Sequence, residues 1–147
     1  MTASGRVSRG VAFVAALIGL AISIYLTIEH YSKSTSLACP DTGAINCLKV
    51  TTSRWATLAG IPVAVLGLAF FVGMTLLLLL PTWRIVAALR LAGAAVGVLM
   101  VLYLVYVELF KVDAICLWCT GVHICTLVLF GAVLWHTLGS ADAAASR

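Results

Sequence analysis

The chain has 147 residues, of which 63% are hydrophobic and only 10% charged, and its mean hydropathy is +1.17. This composition excludes an ordinary soluble domain and predicts an integral membrane protein. In a soluble protein the net charge of +4 would suggest nucleic-acid binding. Here we assign it to arginines and lysines that orient the chain in a membrane, and we expect no nucleic-acid partner.

Four apolar segments are long enough to cross the hydrocarbon core of a bilayer, which takes roughly 20 residues of helix. They lie at approximately 11–28, 58–80, 86–107 and 115–136. We therefore predict an all-α bundle of four transmembrane helices that forms one domain over residues 1–147, with a long loop, 29–57, between the first two helices.

The first helix follows Arg6 and Arg9, as the apolar part of a secretory signal would. The stretch after it, "TIEHYSK", has no small-residue cleavage site, so we expect this helix to be retained.

An even number of spans places both termini on one side of the membrane, and the loop 29–57 and the turn 108–114 together on the other. The basic residues favour a cytoplasmic N-terminus by a small excess, so both loops are expected to face the exterior or periplasm. On the terminal side are Arg6, Arg9, Arg84, Arg90 and Arg147, and on the other side are Lys33, Lys49, Arg54 and Lys111.

The long loop and the next two helices carry local signals. A loop of this length is usually functional, and a short helix around 47–55 on the membrane surface is reasonable. Gly60 and Pro62 suit the start of the second helix. Gly93 and Gly97 give the third helix a small-residue face for close packing.

The five cysteines are not scattered. Cys39 and Cys47, the loop pair, lie in the long loop, and Cys116 and Cys119, the helix pair, open the fourth helix on the same side of the membrane. An oxidising compartment preserves disulfides, and a helix N-terminus favours thiolate, so two such pairs can exchange electrons through a mixed disulfide. Cys125 lies mid-membrane and is interpreted as a small packing residue.

Simpler interpretations remain open at this point. The loop pair could be a static disulfide, the helix pair could be buried packing residues, and all four thiols could hold zinc in a metal-binding membrane protein. A small four-helix transporter would need a carboxylate buried at mid-membrane. Four of the five acidic residues instead fall at helix ends and are interpreted as solvated; they are Glu29, Asp41, Glu108 and Asp113.

The loop pair, "TSRW" at 52–55 and Cys116-Leu-Trp-Cys119 follow one another in an order that resembles the vitamin K epoxide reductase family. The resemblance is to its bacterial stand-alone form, without a fused thioredoxin-like domain. The DsbB family, also four helices, carries its Cys-x-x-Cys in the first external loop, the reverse of the order here.

This resemblance implies a membrane thiol oxidoreductase that generates disulfides. Cys39 would exchange with a separate DsbA-like or thioredoxin-like protein, Cys47 with Cys116, and Cys119 would lie against a membrane quinone, whether menaquinone, a vitamin K type or ubiquinone. The quinone would supply the two-electron chemistry. Reduction of vitamin K epoxide or quinone as the physiological role is the alternative, since the same thiols would serve.

Two further residues are candidates for quinone binding. Ser53 matches the family's loop Ser/Thr, and its hydroxyl could bond a thiolate or a quinone oxygen, or simply cap the following helix. His123 lies one helical turn below Cys119, where it could bond a quinone carbonyl or donate a proton, or merely pack. Trp55 and Trp118 are interpreted as interfacial anchors.

Overall fold

A computed structural model describes the backbone of residues 3–32, 38–39 and 42–145, and the side chains of all of these except 3–4 and 140–145. Lys33, Asp41 and Arg147, which entered the charge analysis above, lie outside the described residues.

The described chain is mainly helical, with one short hairpin. The helices are α1 (Ala3–Ser32), α2 (Cys47–Thr51), α3 (Val63–Leu79), α4 (Arg84–Val107) and α5 (Leu117–Ala145). The hairpin consists of β1 (Thr57–Leu58) and β2 (Ile61–Pro62). A 3-10 turn spans Arg54–Ala56, and a π-helical turn at Glu108–Val112 extends α4.

The long helices confirm a multi-pass membrane protein. Among the described residues, α1, α4 with its π-helical extension, and α5 are long and apolar enough to cross a membrane, and α3 is a shorter apolar helix of 17 residues. The predicted second span, 58–80, is wrong at its beginning. Residues 57–62 form the hairpin instead, and Ala59 and Gly60 at its turn both have positive φ, as tight hairpin turns favour.

The helices pack closely through small residues. Ala12 and Ala16 of α1 are buried in the same core cluster as Phe71 of α3 and Leu129 of α5. Close approach of this kind is how helices associate in lipid, where apolar burial gives little driving force. Cys125 lies in this cluster, as the packing interpretation predicted.

The end of the bundle away from the cysteines is held by two arginines. Arg90 is 3% exposed and donates hydrogen bonds to the carbonyl oxygens of Leu77, at 3.0 and 2.8 Å, and Leu80, at 2.8 Å. Arg9 donates to the carbonyl of Leu78 at 3.1 Å. These carbonyls end α3 and have no partner within the helix, so both arginines act as side-chain caps.

Candidate functional site

A short backbone pairing joins the long loop to the start of α5. The Asn46 amide donates to the Ile115 carbonyl at 3.1 Å, and the Ile115 amide donates to the Ala44 carbonyl at 2.9 Å. Cys47 and Cys116 are the next residues in the two paired segments. The pairing therefore brings one cysteine of the loop pair beside one of the helix pair.

Helix α2 begins at Cys47, and two hydrogen bonds, one to the side chain of Asn46 and one from the side chain of Lys49, hold its first turn in place. The Asn46 side chain accepts a hydrogen bond from the Lys49 amide at 2.8 Å, which is a standard N-cap. The Lys49 ammonium donates to the Asp113 carbonyl at 3.2 Å. The helix expected around 47–55 is thus α2 and the following 3-10 turn, anchored to the segment before α5.

The four cysteines surround the first turn of α5. Cys39 and Cys47 form a disulfide, and Cys116 and Cys119 are free thiols. The Leu117 amide points at the Cys47 sulfur, at 3.3 Å, and the Cys119 amide donates to the Cys116 sulfur at 3.2 Å. The unpaired amides at this helix start are therefore directed at sulfur atoms of both pairs.

Solvent exposure distinguishes Cys39 from Cys47, its partner in the loop pair, and from Cys116 of the helix pair. Cys47 and Cys116 are 1% and 0% exposed, whereas Cys39 is only half-buried. An external molecule can thus reach the loop disulfide through Cys39, while Cys47 lies on the interior side. Within the described residues no group of three or more histidine, cysteine or acidic side chains is arranged to hold a metal ion.

Cys116 lies just before α5 in a setting that favours thiolate. The Cys119 thiol donates to its sulfur, and the amides of Cys119 and Trp118 add to this effect. Burial and the nearby Glu108 oppose it, but the pKa of Cys116 is lowered from its ordinary value.

Below the cysteines lies an apolar cavity of about 330 Å³, enclosed by α1, α3, α4 and α5 and covered by the turn that follows α2. Its size is in the range of small-molecule sites. Ser53, Cys119 and His123 all line it. The three residues that the sequence analysis assigned to quinone binding therefore converge on one cavity.

Ser53 does not cap the turn that follows it, so that alternative is wrong. Its hydroxyl donates instead to the carbonyl of Val50, at 2.8 Å. The oxygen keeps lone pairs that can accept a further hydrogen bond. His123 is 6% exposed and faces the cavity.

The expectation that the acidic residues are solvated is wrong for Glu108. This side chain is 6% exposed and lines the cavity, and the Cys116 amide is a hydrogen-bond donor to its carboxylate. Glu108 is the first residue of the π-helical turn at Glu108–Val112, which packs against α4 and α2. Asp113 is exposed as expected, whereas Glu29 has one carboxylate oxygen buried without a partner among the described residues.

Trp55 and Trp118 make contacts that the sequence analysis did not predict. The Trp118 indole N–H donates to the Ala38 carbonyl at 3.1 Å, and its ring lies 4.9 Å from that of Tyr25. The Tyr25 hydroxyl accepts from the Ala38 amide at 3.3 Å, so two helices hold the residue before Cys39. Trp55 lines the cavity, and no sequence pattern indicated this position.

A known family matches most of this arrangement. The model described as the vitamin K epoxide reductase family matches residues 11–134, a range that contains the first three predicted apolar segments, nearly all of the fourth, and both cysteine pairs. Together with the helical bundle, this match makes the protein a multi-pass membrane oxidoreductase. The chain belongs to the vitamin K epoxide reductase family.

Proposed function

We propose that this protein generates disulfides by passing electrons from a separate DsbA-like or thioredoxin-like protein to a membrane quinone. Electrons enter at Cys39, pass from Cys47 to Cys116, and leave the helix pair at Cys119. The observation that carries the proposal is the position of the four cysteines between solvent and cavity. Cys39 is reachable from outside, Cys47 and Cys116 are buried side by side, and Cys119 lines the cavity.

Each exchange step conserves electrons. The partner's two thiols reduce the Cys39–Cys47 disulfide, and the partner leaves as a disulfide. The loop pair then reduces a Cys116–Cys119 disulfide through a bond between Cys47 and Cys116. The described arrangement, with the loop pair oxidised and the helix pair reduced, corresponds to the stage just before the helix pair gives its electrons to the quinone.

The cavity supports a quinone as the acceptor. Its lining is largely apolar, as a ring with a hydrocarbon tail requires, and a few polar groups face the same space. We assign Ser53 and His123 as hydrogen-bond partners of the quinone oxygens. Menaquinone, vitamin K-type quinones and ubiquinone all carry the two ring carbonyls that such partners would recognise.

The central test is to trap the exchange between the pairs. In Cys119→Ala the Cys116 thiolate attacks Cys47, breaks the Cys39–Cys47 disulfide and releases Cys39 as a thiol. Cys119 is absent and cannot displace Cys47, and alkylation of the released Cys39 blocks the reverse attack. A Cys47–Cys116 disulfide therefore accumulates and is identified by peptide mass spectrometry. Cys125→Ala, a change at a core packing position, is the matched control and behaves as wild type.

The same preparation tests the acceptor. Wild-type protein in liposomes should reduce menaquinone, and not vitamin K epoxide at a comparable rate, when a reduced thioredoxin-like protein is supplied. The proposal fails if Cys119→Ala forms no Cys47–Cys116 bond and wild type reduces no quinone. Faster reduction of the epoxide would favour the alternative physiological role.

We further propose that the cysteines face the extracytoplasmic side of a bacterial cytoplasmic membrane. After mild reduction, a membrane-impermeant maleimide added outside spheroplasts should label Cys39. Labelling of Cys39 only from the cytoplasmic side, in inverted vesicles, would reverse the orientation.

A further inference from the structure

Glu108 is the one acidic residue among the described residues that lines the cavity. It shares the cavity wall with Cys119 and His123, and the Cys116 amide donates to its carboxylate. The proposed electron path assigns no role to this carboxyl group, although it interacts electrostatically with both thiols of the helix pair.

The surroundings of Glu108 are unsuited to a permanent charge. Among the described residues that line the cavity there is no lysine or arginine, and the walls are largely apolar. An isolated carboxylate in such a place is costly unless it is paired. A carboxyl group held there by the backbone and next to thiols is instead placed to exchange a proton with them.

We propose that Glu108 is a catalytic proton carrier between the helix pair and the quinone, an inference that rests on the proposed function. When the helix pair is oxidised, two S–H bonds break and one S–S bond forms. Two electrons and two protons must then reach the acceptor. Glu108 takes the proton of Cys116 and releases it to the nearer quinone oxygen, while the proton of Cys119 reaches the other oxygen by way of His123.

Other titratable groups face the same space and must be separated from Glu108 in any pH profile. They come from two helices besides the π-helical turn: His30 from α1, and Cys119 and His123 from α5, with Cys116 directly beside the carboxylate. Lys49 is directed elsewhere, since its ammonium donates to the Asp113 carbonyl.

The test compares two isosteric changes of acid to amide. Glu108→Gln removes the proton-carrying group. Asp113→Asn instead changes an exposed acidic residue five positions further along the chain. Asp113 has a left-handed backbone conformation, which asparagine tolerates well. We expect Glu108→Gln to lower the kcat of menaquinone reduction by about 10²–10⁴-fold, the usual contribution of a positioned acid or base. It should also remove one limb of the pH profile, with KM little changed. Asp113→Asn should match wild type.

A second readout separates this inference from the proposed function. In the Cys119→Ala background, Glu108→Gln should still trap the Cys47–Cys116 disulfide when the exchange is allowed to reach its end point, because that exchange needs no quinone and its end point does not depend on how fast Cys116 loses its proton. Loss of trapping would show that Glu108 only positions Cys116, and the inference would be wrong. It would be equally wrong if Glu108→Gln kept the wild-type kcat and pH profile while trapping was normal.

Infrared difference spectroscopy tests the proton transfer in wild-type protein without any quinone. Oxidation of the helix pair with a dipyridyl disulfide should change a carboxyl C=O band that Asp113→Asn retains and Glu108→Gln lacks. If no carboxyl band responds to oxidation, Glu108 does not exchange a proton with the helix pair, whatever the variants do.

Discussion

Gly97 of α4 is predicted to control the space available in the cavity. A methyl group added there would lie 2.6 and 2.9 Å from two ring carbons of Phe70 and 3.0 Å from the methyl carbon of Thr126. Such distances are too short for carbon atoms, so Phe70 has to move. Phe70 also lines the cavity, so its ring has room on that side. Crowding of this kind costs about 1–3 kcal/mol in a packed core.

Gly73→Ala is the matched control for Gly97→Ala. Gly73 lies in α3, and nothing comes within 4 Å of a methyl group added there. Both substitutions gain the same helix propensity, roughly 1 kcal/mol. The difference between their free energies of unfolding therefore isolates the crowding at Phe70. We expect Gly97→Ala to be less stable than Gly73→Ala by about 1–3 kcal/mol.

Two assays check this prediction. Unfolding in detergent micelles, followed by circular dichroism, gives the difference in stability. Quinone reduction gives KM, which should rise in Gly97→Ala by at most about 5- to 150-fold. A bound quinone has to push Phe70 back against the added methyl group, which restores whatever part of the crowding cost of about 1–3 kcal/mol the movement of Phe70 had relieved. Equal stability of the two variants together with an unchanged KM would refute the reasoning.

Three further predictions concern other parts of the molecule. Arg90→Met should lower the free energy of unfolding by about 1–3 kcal/mol, since it leaves the carbonyls at the end of α3 without a donor, whereas Arg84→Met, at an exposed position, should leave it almost unchanged. Trp118→Phe keeps an aromatic ring but loses the indole N–H. Loss of the hydrogen bond from the indole to the Ala38 carbonyl should destabilise the loop after α1 by about 1 kcal/mol, so its amide hydrogen exchange should become roughly fivefold faster. Unchanged protection in this loop would contradict a stabilising role for that hydrogen bond. Cys119→Ala should raise the pKa of Cys116, because the Cys119 thiol is the main cause of its lowering. The measurement uses protein in which Cys39 and Cys47 are both replaced by alanine, so that Cys116 stays a free thiol. Thiolate absorbance at 240 nm should then appear at higher pH with Cys119→Ala than without it, and an unchanged or lower titration would refute this cause.

Much of the architecture could be predicted because it depends on local composition. A helix that crosses a bilayer needs a long apolar segment, and this requirement is visible in α1, α4 and α5 without knowledge of their neighbours. The number of spans then placed the loop pair and the helix pair on one side of the membrane. The spacing of Cys119 and His123 predicted a shared face, since residues four apart in a helix project together.

The tertiary structure decided what these residues contact. The sequence could not show that residues 57–62 turn back as a hairpin, because their apolar character also suits a membrane span. Nor could it show that Glu108, at the start of a π-helical turn, lines the cavity, or that Trp118 holds the backbone beside Cys39. Hydrophobic length is a property of one segment and can be read along the chain. A cavity, a buried carboxyl and a hydrogen bond across 80 residues depend on how several segments pack against one another.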